Sequence, residues 1–150
     1  MRSPTAASKA TAFIALALAF TAPAAGAAEP ASLIDLPVAG RVVVPAAQFR
    51  NAAARAARKG SPVEIALAVA GAFEGQQQLI VQVNEGAESP SASRVTVIRD
   101  GLLDDAVRSE RWDIDLARTS AGPWKISQVN KSWRCWRGAP TAGFAAQPCP

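Results

Sequence analysis

The first 28 residues constrain this chain most, because they read as an export signal and so decide where the rest must fold. Arg2 and Lys9 give a positive start. Ala10 to Phe20 is an apolar stretch of eleven residues whose only polar member is Thr11. Ala25-Gly26-Ala27 supplies the small-residue pattern that signal peptidase needs. Such a stretch is too short for a bilayer, which takes roughly 20 apolar residues. The sequence predicts a signal over 1–28 and a single exported domain over 29–150, periplasmic or secreted. No second apolar stretch reaches membrane length, so no stable membrane span is expected. The signal region holds no cysteine for a lipid anchor and no twin-arginine pair.

Outside the cytoplasm, an isolated cysteine pair is most simply a disulfide. Cys135 and Cys149 are the only two cysteines, and bonding them would tie down the C-terminal tail. A redox site or a pair of metal thiolates are the alternatives. The spacing is far from C-x-x-C, and no other soft ligand is at hand.

Histidine and tyrosine are both absent. Without imidazole there is no Ser-His-Asp or Cys-His nucleophile system and no ordinary zinc site. An enzyme built from this chain would have to use carboxylates, lysine or hydroxyls. No metal and no cofactor are expected.

Charge is unevenly placed. From Glu29 to Asp115 there are nine basic and twelve acidic residues, and from Leu116 to Pro150 five basic residues and no acid. This asymmetry suggests a surface that prefers anions. The net charge of +4 falls to +2 once Arg2 and Lys9 leave with the signal, which argues against nucleic acid as a partner.

Ala31 to Arg41 reads as a lead-in broken by Pro37 and Gly40. Ala46 to Lys59, after Pro45, is rich in strong helix formers and stops at Gly60. Ser61-Pro62 with Glu64 is a capping-box start for a second, buried helix running to Phe73 or Glu74. A strand over Val63 to Val69 is the competing reading of that apolar run. From Gln78 the period changes to two. Leu79, Val81 and Val83 alternate with polar residues, Val95 and Val97 share a strand face, and Trp112, Ile114 and Leu116 face away from Asp113 and Asp115. Thr119 to Pro123 reads as a hairpin turn. In the last strand Trp124 and Ile126 have the opposite parity to Val129, Trp133 and Cys135, which predicts a bulge near Ser127-Gln128. The tail from Gly138 is irregular, with Phe144 covering a core edge. The expected fold is α+β: two helices packed on a four-stranded antiparallel meander, with the C-terminal tail tied by one disulfide.

Helices followed by a curved meander that ends in a strand of the form Gly122-Pro123-Trp124-Lys125-Ile126 resemble the cystatin-like and nuclear-transport-factor-like α+β class. A closer resemblance, to small bacterial exported proteins of uncharacterised function, rests on five groups of residues. These are Ser61-Pro62-Val63-Glu64-Ile65-Ala66-Leu67; Arg99-Asp100-Gly101-Leu102-Leu103-Asp104-Asp105; Glu110-Arg111-Trp112; Ser132-Trp133-Arg134-Cys135; and Phe144 with Cys149. Members of that group usually carry a Gly-Arg-Gly-His run between the cysteines. Here Gly138-Ala139-Pro140-Thr141 stands in that region, so no role of that histidine transfers. The resemblance implies a fold and a location, and no activity.

Four constellations could carry chemistry. Asp104 with Asp105, and Asp113 with Asp115, are carboxylate pairs suited to acid/base work or calcium, or to plain turn capping and solvation. Lys125 and Lys131 lie near Ser127 and Ser132, but nothing marks an oxyanion hole. Val63, Leu67, Phe73, Trp112, Ile114, Trp124 and Trp133 could line a pocket or form the core. Finally, Lys131, Trp133, Arg134, Trp136 and Arg137 cluster around Cys135, and arginine beside tryptophan suits carboxylates, phosphates or glycans. The sequence therefore reads best as a non-catalytic binding module whose contacts are Lys131, Arg134, Trp136 and Arg137. Its expected partner is an anionic envelope component or an envelope protein. A cone-shaped small-molecule pocket protein, with carboxylate acid/base chemistry, is one alternative. An inhibitor of an envelope or secreted hydrolase is the other.

Overall fold

Apolar residues at 62, 65, 66, 69 and 70 recur at helical spacing, and in the computed structural model they form the buried stripe of a helix. The structure describes residues 32–57, 60–118 and 122–150, so the expected signal over 1–28 lies outside the described residues. Two short helices, α1 (Arg50–Ala57) and α2 (Pro62–Ala70), are followed by the long strands β2 (Gln77–Asn84), β3 (Ala92–Asp100), β4 (Val107–Ala117) and β5 (Lys125–Cys135). The strand reading of Val63 to Val69 is thereby excluded.

The expected four-stranded architecture is corrected by a fifth strand, β1 (Val42–Val43), and by the shortness of the helices. The protein is mostly one antiparallel sheet in the order β1-β5-β4-β3-β2. β1 pairs Val42 with Lys131 and Val43 with Asn130, and the next amide, of Val44, donates to the Val129 carbonyl. β5 would otherwise present an open row of backbone donors and acceptors on that side. Two residues are too few to show a period in sequence, so this strand, between the lead-in that ends at Arg41 and Pro45, has no signal of its own. The expected first helix begins instead with a 3-10 turn over Ala46–Phe49. The expected second helix stops at Ala70, because Gly71 takes a φ of +77° that β-carbon-bearing residues rarely adopt. Ser61 occupies the N-cap position of α2, but its side chain makes no capping hydrogen bond.

Residues directly opposite one another in a sheet share a face. Val97 stands between Ile80 and Trp112, and Val95 beside Ile114. With Leu116, Val129 and the α2 stripe they form the core between helices and sheet. Each fully buried residue of the size of Ile65 or Ile114 contributes about 1.5–3 kcal/mol. Leu79, Val81 and Val83 pair with Ile98, Thr96 and Arg94, so β2 turns its visible alternation to the far face and contributes only Ile80 to the helix side.

Two bulges shape the sheet. Asp115 pairs with Gln128 but Leu116 with Ile126, leaving Ser127 extra on β5 where the parity change requires it. At the other end Val107 pairs with Cys135 and Ser109 with Arg134, leaving Arg108 extra on β4. The tail folds back along β5: Cys149 is disulfide-bonded to Cys135, and Ala145 exchanges both backbone hydrogen bonds with Trp133. Phe144 is fully buried and bridges to Val38. Gly143 permits this approach, since a β-carbon there would run into the Pro37 carbonyl oxygen.

Candidate binding surface at the disulfide end of the sheet

β5 delivers the basic and aromatic residues alternately to the two faces of the sheet. On the far face, Arg134 is only 7% exposed. Its Nη2 donates to Asp100 Oδ1 at 2.5 Å and its Nε to Ser109 Oγ at 3.0 Å, and the Ser109 hydroxyl in turn donates to Asp100. Burial alone would raise the Asp100 pKa. The hydrogen bonds from Ser109 and Arg134, with the charges of Arg134 and Arg108, outweigh it and hold the carboxyl below its usual range. Arg134 is thus a buried structural cation rather than a surface contact.

On the helix-facing side, Lys131 stands opposite Trp112. Its Nζ lies 4.3 Å from the Trp112 ring centroid and 5.1 Å from that of Trp133, and it forms an ion pair with Glu110. Glu110 also accepts the Trp112 indole N–H at 3.3 Å. The ammonium is held between two rings and a carboxylate, and is largely covered.

Trp136 and Arg137 behave differently. Past the end of β5, Trp136 is 46% exposed, and its backbone N–H donates to the Ala106 carbonyl at 2.9 Å. The bulge aims Arg108 at it, with the guanidinium carbon 4.9 Å from the ring centroid and Nε 3.6 Å from Asp100 Oδ1. Arg137 pairs with Asp105 at 3.0 Å, both well exposed. The connection that supplies Ala106 and Asp105 also carries Leu103, which is 86% exposed. Asp104 fixes that connection by accepting the Ala106 and Val107 amides at 2.8 and 2.6 Å, and these bonds hold its carboxyl below the usual range. Arg108 has no signal in the sequence, and Leu103 enters there only within the run that carries the resemblance. The bulge that redirects Arg108 depends on β4–β5 register, whereas Leu102-Leu103 between Gly101 and Asp104 was a readable apolar interruption of a turn.

The basic excess after Leu116 is largely paired off by the acidic residues before it. Lys131 meets Glu110, Arg134 meets Asp100 and Arg137 meets Asp105. Arg118 lies over Trp124 and donates to the Pro90 carbonyl. The carboxylates of Asp113 and Asp115 are engaged too. Asp113 is buried and accepts from Thr96, Arg111 and Arg41, and Asp115 accepts a forked pair from Arg94. Among the described residues no group of three metal-ligating side chains converges. Of the residues proposed to line a pocket, Trp112 and Ile114 are core, and Val63 and Leu67 pack against it. A cavity of about 630 Å³ opens elsewhere, between α1 and the start of β5, and of that set only Trp124 lines it.

No family model, curated protein or solved structure matches this chain. Among the described residues, no helix is long and apolar enough to cross a membrane.

Proposed function

We propose that the protein is an exported, non-catalytic binding module that docks an envelope protein through the patch formed by Trp136, Arg137, Arg108 and Leu103. The observation that carries this reading is the half-exposed Trp136. Its ring is overlain by Arg108, its backbone is fixed to Ala106, and it follows a disulfide-bonded cysteine. A preorganised tryptophan and arginine with an apolar neighbour and a charged rim is the composition of a protein-binding hot spot. Export is supported by the residues at 1–28 and by the disulfide, which persists in oxidising compartments. Kinship with the small bacterial exported proteins is part of the same reading.

The test compares envelope-extract capture by the wild type with that by Trp136→Ala and Leu103→Ala, after confirming that both variants keep the parent melting temperature. A partner recovered by the wild type and lost from both variants supports the patch. Equal recovery by all three removes it.

A further inference from the structure

At the opposite end of β5, roughly 30 Å from Trp136 for a strand of this length, lies the 630 Å³ groove. Its size falls within the ~300–1,000 Å³ of small-molecule sites. One wall comes from α1, whose strong helix propensity rests on alanine. Ala53 packs against the core and Ala54 is exposed, and such small side chains fill little of the space beside the start of β5. The other wall is Trp124 and Ile126 at the beginning of β5. The groove is therefore a gap that small residues leave between two rigid elements.

Its charged side chain is a cation. Arg50, the first residue of α1, lines it and is exposed. Lys125 also borders it, but it pairs with Ala117, so its side chain leaves β5 on the face opposite Trp124 and Ile126. Arg50 forms no ion pair among the described residues. By contrast Lys131, Arg134, Arg137, Arg94, Arg111 and Arg41 are all matched to carboxylates. Among the described residues no carboxylate lines the groove. An apolar trough with an unmatched cation at its rim complements an apolar chain that ends in an anion.

We infer that this groove binds a single-chain amphiphile with a carboxylate head, its tail along Ala53, Ala54, Trp124 and Ile126 and its head at Arg50. The site is separate from the Trp136 patch, so either can fail without the other.

The test is calorimetric titration of the whole protein with laurate, kept below its micellar concentration, beside dodecanol as the uncharged probe. Laurate should bind saturably at one site, and dodecanol at least tenfold more weakly. In Arg50→Gln the two probes should bind alike, because only the head interaction is removed. Ala54→Trp, at an exposed helix position, should fill the trough and weaken laurate tenfold or more at an unchanged melting temperature. Absence of saturable laurate binding overturns the inference. So does laurate affinity that survives either Arg50→Gln or a folded Ala54→Trp.

Discussion

Arg134 and Asp100 meet at 2.5 Å under the far face of the sheet, although 34 residues separate them in sequence. The pair is closed by Ser109, which bonds to both partners. Truncating Arg134 would leave Asp100 charged, half-satisfied and covered. Removing one member of a buried pair typically costs about 3–5 kcal/mol, and the partial exposure of Asp100 places this one near the lower end. Arg134→Ala should therefore lower the urea midpoint markedly. Arg137→Ala, which breaks only the exposed pair with Asp105, should leave it nearly unchanged. Matching losses from the two variants would contradict this division. A binding defect in Arg134→Ala would then report damage to the fold, whereas one in Arg137→Ala would report contact.

That division was invisible in sequence for a definite reason. Trp133, Arg134, Trp136 and Arg137 are neighbours along the chain, but the strand sends Arg134 to the far face and ends before Trp136. Which acid waits for each cation is set by the β3–β4 and β4–β5 registers. The parity change between Ile126 and Val129 was local, so the Ser127 bulge could be read directly. The lone cysteine pair likewise announced its own bond. β1 could not be read, because two residues show no period and its pairing is decided by the open edge of β5. Asp113 also misleads: its alternation with Ile114 reads as a solvated face, yet Arg41, Arg111 and Thr96 bury it.

Asp113 makes acid stability a readout of the far face. Burial alone would raise its pKa, but hydrogen bonds from Arg111, Thr96 and Arg41 and the Arg111 charge overcome this and hold it below the ordinary 3.8. A carboxylate with a depressed folded-state pKa stabilises fully above its unfolded-state value. That stabilisation is lost as pH falls through the folded-state value. Asp100, shifted the same way, adds to the effect. The urea midpoint should thus hold from pH 7 to about pH 5 and fall steeply below about pH 4. Asp113→Asn should lose about 3 kcal/mol at pH 7, and its own acid dependence should be shallower. A parallel pH profile for the variant would show that Asp113 is not the responsible group.

The Cys135–Cys149 bond, with a sequence separation of 14, closes a loop for which chain entropy gives about 3 kcal/mol. The same bond anchors the tail, whose Ala145 pairs with Trp133 of β5 and whose Phe144 bridges to Val38. Cys135→Ser/Cys149→Ser should lower the melting temperature by several degrees, and reduction of the wild type should reproduce the shift. Amide exchange should speed up first at Phe144 and Ala145, whose bonds to Pro37 and Trp133 hold the tail. A shift without faster exchange there would mean that backbone pairing alone fixes the tail.

Arg99 joins the sheet to the helix layer. Its guanidinium donates to the carbonyls of Ala70, Gly71 and Ala72 at 2.5, 2.6 and 2.9 Å, and Nε donates to Gln78 at 3.1 Å. These carbonyls at and just beyond the end of α2 lack helical partners, and a cation there also answers the negative end of the helix dipole. Burial lowers the Arg99 pKa, yet a guanidinium starts so far above neutrality that it stays charged. Hydrogen bonds to a charged group contribute about 1.5–3 kcal/mol, so Arg99→Met should destabilise the fold by at least that much. Arg99→Lys should recover only part of the loss, because one ammonium cannot reproduce a planar fork spanning three carbonyls. Amide exchange should separate this from general weakening. The Gly71 amide, bonded to Leu67, should open before the β3–β4 ladder in Arg99→Met. Uniform acceleration across helix and sheet would instead make Arg99 a part of the core rather than the clasp of α2.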